Sequence, residues 1–578
     1  MLSEHASVQQ LGALSRLLAA VKGIDLSLDV PGARDIREIR AEIADQLSDY
    51  VIPRLVQLDA PLLTVVGGST GAGKSTLVNS IVGESVTESG VLRPTTRSPV
   101  LVHHPDEGEW FQPDRILPDL PRTEAVTNDV YALRLVASRF VPRGLAVLDA
   151  PDIDSIDAAN RELAGQLLAA ADLWLFVTSA ARYADQVPWD YLRRAAERST
   201  SVAVVLDRTH DDHVVEVRGH LARMMTSRGL SDSPLFTVPE SEIEPNGLLP
   251  RAAVAPIVSW LHDLAADPEG RAAVVHGTLD GAVRHNVMQS HDIADAFDAQ
   301  VEAAKQLRGD VDGIYRKAAE TLAAQTADGT LMHGEVLGRW QEFVGSGELM
   351  KSVEERVSRL RDRLLDNLTG RRAQSAEVVD AVESGLQALI MEHAESAAEQ
   401  TYRAWSSTPP GKALLARQRG LDRASRDARV SSERLVRDWQ ARVFEMVRAE
   451  GADKRLTAKF LAFGVNGVGV ALMVLVFVQS TGAGGAAQVG VAGGTAYVAQ
   501  KLLEAIFGAQ AVRDLSRRAG EDLQACVIAL LETEQKRYTD LLVDPAALEA
   551  AQAELREAAR QAEYARHADF FEDGGKHR

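Results

Sequence analysis

Apolar and polar positions follow two different rhythms along the chain, and the change between them near residue 270 is its main organisational signal. From Pro61 to about Leu264, short apolar runs alternate with stretches of helical spacing. The runs are LLTVV (62–66), PVLVHH (99–104), YALRLVA (131–137), GLAVLD (144–149), LWLFVT (173–178), SVAVVLD (201–207) and PLFTV (234–238). Most are continuously apolar, as strands are when helices cover both faces of a parallel sheet. Helices are expected after Gly73, Asp157, Pro188 and Val215. Ahead of the first strand, the initial ~58 residues read as helix with alternating charge.

Beyond about Gly270 strand signals give way to apolar residues every three or four positions. One stripe is Val353, Val357, Leu360, Leu364 and Leu368; a second is Val379, Val382, Leu386 and Leu389; a third is Leu435, Trp439, Val443 and Met446. Each predicts a helix with one buried face, hence a bundle or stalk. SSTPPGK (406–412) reads as the break between two long helices.

Residues 460–478, FLAFGVNGVGVALMVLVFV, carry no charge and one polar side chain, Asn466. As a helix they span ~28 Å, close to the hydrocarbon thickness of a bilayer. A Gly/Ala-rich stretch (481–499) follows, in which Gly490 and Gly494 offer a small-residue packing face. Lys454, Arg455 and Lys459 precede the pair; Lys501, Arg513, Arg517 and Arg518 follow it. This predicts a membrane-associating helical hairpin that enters and leaves on one face. A hairpin buried within the helical domain is the other reading.

The expected organisation is therefore an N-terminal helical segment on the stalk or neck (1–58), an α/β domain (59–270) and a helical stalk (271–455). A membrane-associating hairpin (456–510) and a return helix with tail (511–578) complete it. The fold class is an α/β domain with a mostly parallel sheet, plus a long α-helical bundle or stalk with a C-terminal apolar hairpin.

The chain has 578 residues and a formal net charge of −19, which argues against a nucleic-acid binder. Its single cysteine, Cys526, excludes an intramolecular disulfide and a cysteine-built zinc site, and its apolar surroundings suggest a small core residue. The N-terminus lacks the basic and apolar regions of a secretory signal. The pairs His103/His104 and His210/His213 read as strand-end and loop residues rather than metal ligands.

The strongest chemical signal is LLTVVGGSTGAGKSTLVNSIVG. Gly68, Ser69, Thr70, Gly71, Ala72, Gly73, Lys74 and Ser75 match GxxxxGK[ST] between a strand and a helix that begins with Thr76. Backbone N–H groups in such a loop cradle phosphates, aided by the helix dipole. Lys74 would pair with the β and γ phosphates, and Ser75 would ligate Mg²⁺. Asp149, ending the strand GLAVLD, is the metal-side carboxylate. Asp152 stands where a GTPase switch has glycine, and Asp154 reads as a helix N-cap. In SGVLRPTTRSPVLV, Thr95 and Thr96 both qualify to close over Mg²⁺, and Arg93 and Arg97 could offset charge in cis. Lys74, Ser69, Thr70 and either Thr95 or Thr96 are the expected catalytic set.

The phosphate loop, the run Thr96-Arg97-Ser98-Pro99, the strand end DAPDIDS and the apolar hairpin together resemble the bacterial, and more narrowly actinobacterial, dynamin-like membrane GTPases. The resemblance favours Thr96 over Thr95 as the switch threonine and GTP with Mg²⁺ as ligands. It implies membrane lipids as partners, assembly with itself or with a related dynamin-like protein, and a place at the cytoplasmic face of the cell membrane. It also leans towards cell-division proteins as partners. The family's guanine-reading run is [NT]KxD; here the strand end LDRTHDD puts Asp207 and Arg208 at its first two positions and His210 where aspartate belongs. Asp211, Asp212 or Asp207 itself would have to read the base, and ATP stays open as the alternative. With no glutamine beside Asp149, slow turnover is expected. The leading reading is a membrane-remodelling GTPase; a nucleotide-switched membrane scaffold with little hydrolysis is the other, and a soluble assembly GTPase a third.

Overall fold

The computed structural model describes residues 4–88, 98–113, 115–127, 129–155, 157–198, 200–332, 334–344, 364–453, 458–478 and 492–573. All seven apolar runs form strands: β1 (Leu62–Gly68), β2 (Val100–His103), β4 (Leu133–Ala137), β5 (Leu145–Asp149), β6 (Leu173–Ser179), β7 (Ser201–Thr209) and β8 (Leu235–Pro239). An eighth, β3 (Arg122–Thr123), is a two-residue edge strand, too short to leave a periodic trace. The sheet order is β3-β4-β2-β5-β1-β6-β7-β8. Neighbours are parallel except β2 and β5, where Val100 faces Asp149 in antiparallel register. Every residue of β1, β5 and β6 is buried, which explains why these strands lack alternation.

The chain divides into two compact units: one holds residues to Leu26, Gly32–Asp298 and from Ala546 onward; the other holds Ser27–Pro31 and Ala299–Pro545. The first contains the sheet and the helices α1 (Glu4–Gly23), α2 (Ala33–Gln46), α3 (Ile52–Val56), α4 (Lys74–Val82), α5 (Ala158–Ala169), α6 (Gln186–Glu197), α7 (Val214–Ser227), α8 (Arg251–Ala266) and α9 (Pro268–Ala296). The helices expected in the α/β region all form, α6 starting two residues before Pro188, which sits in its first turn where no N–H is needed.

Both chain ends depart from the expected organisation. The N-terminal helices belong to the unit that contains the sheet, as does the last helix, Pro545–Asp573. Arg16 pairs with Glu554 at 2.7 Å, Arg566 with Asp280 at 2.8 Å, and Gln552 donates to the Ala294 carbonyl at 2.6 Å. Deeper in, Arg54 and Tyr50 both donate to Asp172 Oδ1 at 3.0 Å, and Leu63 N–H donates to Asp172 Oδ2 at 2.8 Å. This cluster ties α3 to the starts of β1 and β6. The apolar spacing could show that these segments are helical, but not which core they join.

The second unit, as described, is helical. It contains α10 (Asp298–Ala327), α11 (Glu335–Val344), α12 (Leu364–Ser406), α13 (Pro409–Leu415), α14 (Arg426–Asp453), α15 (Ala458–Val476), α16 (Ala492–Phe507) and α17 (Ala509–Thr539). The break at 406–412 is present and lengthened by α13, capped by Thr408. Val382, Leu386 and Leu389 are buried as expected, whereas on α14 the core face is Val436, Trp439, Val443 and Val447, with Leu435 and Met446 at its flanks. The stripe at 353–368 lies outside the residues whose side chains are described.

The apolar segment carries the main difference. Val468 to Val474, Phe477 and Val478 are buried in the helical unit. The Gly469 backbone lies against the Phe444 ring, and Phe477 meets Trp439 at 5.7 Å between ring centroids. Over 468–478 every position is apolar and all but Leu475 are buried, the pattern of a core helix. Among the described residues no helix is long and apolar enough to cross a membrane. Gly490 and Gly494, Lys454 and Arg455 lie outside the residues whose side chains are described. On the other flank, Lys501 pairs with Glu504 and Arg517 with Glu521, both at 2.9 Å, so those charges are largely compensated.

Candidate functional site

The phosphate loop follows β1 at the carboxyl edge of the sheet, flanked by the ends of β5 and β6. In an open α/β sheet this edge is where ligands bind. Gly68 has φ 151° and lies so close to the Val177 carbonyl that a side chain has no room. Gly73 has φ 90°, in the left-handed region, and the Asp207 carboxylate fills the space a Cβ would take. The loop then turns into α4, whose first residue is Lys74.

Lys74 is buried. Its ammonium donates to the carbonyls of Gly68 (3.0 Å) and Ser69 (3.1 Å) and forms an ion pair with Asp152. Asp149 is fully buried; burial raises its pKa, against hydrogen bonds from Ser75 and Thr87 that favour the carboxylate. Thr87 donates to Asp149 Oδ2 at 2.8 Å, and Asn79 holds Thr87 in place by accepting from its N–H at 2.9 Å. Two buried oxygens here, Asp149 Oδ1 and Ser69 Oγ, have no hydrogen-bond partner in the protein. A serine hydroxyl beside a buried carboxylate with one open oxygen fits a hard cation such as Mg²⁺.

Thr70, expected to contribute through its amide, presents both N–H and hydroxyl to Asp154 Oδ1, at 2.5 and 2.7 Å. Asp154 is therefore not a helix cap; Asp157 caps α5 instead. Burial alone would raise the Asp154 pKa, but the Thr70 hydrogen bonds and the Arg182 charge lower it. Arg182 pairs with Asp154 at 2.8 Å and donates to the Thr70 carbonyl at 3.0 Å. Of the remaining loop residues, Gly71 takes φ 73°, Ala72 is buried with its N–H on the Ser69 carbonyl at 3.1 Å, and the Thr76 carbonyl accepts from Ser80 at 2.6 Å.

At the end of β7, Asp207 Oδ1 accepts the Arg208 N–H at 2.9 Å. Burial lifts the Asp207 carboxyl to about 6. Arg208 has a left-handed backbone, φ 53°, and an exposed guanidinium. The Asp207 carboxylate packs against the phosphate loop at Gly73, and Asp212 presents an exposed carboxylate 3.8 Å from His210.

The structure thus brings together Gly68 to Ser75, Asp149, Asp207 and Arg208. Thr96, Thr95, Arg93 and Arg97 lie outside the described residues. Sequence reasoning missed Thr87 and Arg182. Thr87 lies between α4 and β2, in the same connection as Thr95 and Thr96; Arg182, in TSAARYADQ, carries no motif signal. Among the described residues no cluster of three or more histidine, cysteine or acidic side chains could hold a metal. Cys526 is half-buried, accepting from Arg442 at 2.9 Å.

No family model matches the chain. A protein of Arabidopsis thaliana named "Probable transmembrane GTPase FZO-like, chloroplastic" is 24% identical over 169 residues, covering 29% of this chain and 17% of its own length. The chain thus spans about a sixth of that relative. Among solved structures, a bacterial dynamin pair described as sensing and tethering membranes aligns with TM-score 0.38 and 10% identity, over 94% of this chain and 96% of its own. LeoA, a bacterial dynamin GTPase from ETEC, aligns with TM-score 0.22 and 11% identity over 97% and 100%. Toc33 of Arabidopsis thaliana, with GDP and Mg²⁺, aligns with TM-score 0.23 and 15% identity over 43% and 97%.

Proposed function

We propose that the chain is a dynamin-like, Mg²⁺-dependent GTPase that acts at the cytoplasmic face of a membrane and couples GTP binding and hydrolysis to self-assembly and membrane remodelling. The observation that carries the reading is the phosphate loop with Lys74 at its centre and the Ser75–Asp149–Thr87 cluster beneath it. Magnesium, when bound, would neutralise phosphate charge and polarise the terminal phosphoryl group. Ser75 and Asp149 would hold it. Lys74 would orient the phosphates, and the loop amides would meet developing charge on the transferred group. The curated relative's name supports GTP over ATP; the exposed Arg208 guanidinium at the β7 end offers a stacking plane to either purine.

A nucleotide-switched scaffold with little hydrolysis is the second reading. The buried Ile153 follows Asp152 directly, in a segment with no glutamine to orient water.

Steady-state turnover of GTP and ATP, with and without liposomes, tests both. GTP-selective turnover raised by liposomes and abolished by Lys74→Ala is expected. Turnover unchanged in Lys74→Ala would sink the site assignment; a folded wild type that binds GTP without turnover on liposomes would favour the scaffold.

A further inference from the structure

The segment after β5 places two carboxylates on the groups of the phosphate loop that would meet a terminal phosphate. Asp152 ion-pairs with the Lys74 ammonium. Asp154 takes both donors of Thr70, its N–H and its hydroxyl, through a single oxygen. The placement is anchored. Between the two aspartates, the buried Ile153 gives its N–H to the Gly68 carbonyl at 3.4 Å. Arg182 braces Asp154 from the other side and is itself tied to Thr70 O.

Resting on the GTPase reading above, we propose that Asp152 and Asp154 form a built-in anionic latch. It competes with the terminal phosphate of a nucleoside triphosphate and tilts this site towards the diphosphate.

The reasoning is electrostatic. The γ-phosphate of a triphosphate needs the ammonium of Lys74 and donors at the start of the loop. Here those donors already serve carboxylates, and a second anion at contact distance from the first is repelled. A glycine at position 152, as in ordinary GTPase switches, would contribute an amide donor and no charge. A diphosphate meets less of the conflict: its β-phosphate must share Lys74 with Asp152, but it brings no third phosphate to the carboxylates at this end of the loop. Triphosphate binding then requires the 150–155 segment to lift from the loop, so that occupancy by triphosphate is coupled to movement of the β5 end.

The test uses the full chain, wild type against Asp152→Asn, with Asp154→Asn as a second variant. Equilibrium binding of a fluorescent guanosine diphosphate and of its non-hydrolysable triphosphate analogue is measured with Mg²⁺. Asp152→Asn keeps shape at a partly exposed position, and circular dichroism checks that each variant is folded. Asp152→Asn should tighten the triphosphate analogue about tenfold or more while moving the diphosphate less than about threefold, as removal of a like charge at contact distance requires. An unchanged ratio of the two affinities with nucleotide still bound would overturn the latch and leave the GTPase reading standing. Weaker triphosphate binding in both variants would also overturn it, since the carboxylates would then assist the ligand. Failure of every protein to bind either nucleotide at millimolar concentration would bring down both.

Discussion

Asp207 shows how one residue can hold a position in a motif while doing a different job there. Its carboxylate fills the space left by Gly73, and burial favours its protonated form. Folding therefore takes up a proton between the ordinary carboxylate range and about pH 6. The stabilisation this brings is complete at about pH 4 and below, and is lost as pH rises through about 6. Asp207→Asn, which cannot ionise, should match wild type near pH 4 and exceed it by about 3 kcal/mol above about pH 6.5, from the size of the shift. Urea unfolding at a series of pH values checks this; a difference that stays flat with pH would contradict a burial-lifted carboxyl. The position was visible in the sequence as a departure from [NT]KxD. That the carboxylate turns under the loop was not, because side-chain direction at a strand end depends on what the neighbouring loop leaves open.

At the scale of elements, the sheet was largely legible. Buried parallel strands read as unbroken apolar runs, and seven such runs are strands. The attachment of the N-terminal helices was not legible. It depends on Arg54 and Asp172, both almost fully buried, with Tyr50 and the Leu63 amide on the same carboxylate. In the sequence, Asp172 is merely the residue before an apolar run. Asp172→Ala should destabilise the protein by about 3–5 kcal/mol, since it leaves the Arg54 guanidinium buried without a counter-charge. Replacing both with apolar residues, Arg54→Met with Asp172→Leu, should cost less than the single change. Denaturant unfolding of wild type and the two variants decides it; a double variant that loses more stability than Asp172→Ala would contradict the cost of an uncompensated buried charge.

For the whole molecule, the apolar segment 460–478 is the instructive case. Composition alone fits a bilayer or a protein interior equally well, because both reward the same side chains. The packing around Val468 to Val478 belongs to an interior, and two of the basic residues after the hairpin, Lys501 and Arg517, pair with acids on their own helices. Val470→Arg should therefore destabilise the helical unit itself, by about 4 kcal/mol or more for an unpaired charge in a packed core. Thermal unfolding reads this directly. A variant as stable as wild type that has lost liposome binding would show instead that this helix meets lipid. Under the proposed function, membrane contact by this segment requires that it leave the core it occupies.

What the sequence determined by itself was whatever depends on local order: the phosphate loop, whose spacing is dictated by phosphate geometry; the strands, by uninterrupted burial; and the helices, by their period. Only the tertiary structure decided which groups meet across the chain. Asp154 caps Thr70 rather than a helix, Thr87 reaches Asp149, Asp207 underlies Gly73, and the last helix joins the unit containing the sheet. Such contacts join residues tens to hundreds of positions apart. Their partners are chosen by packing and charge in the folded state, and no local pattern records that choice.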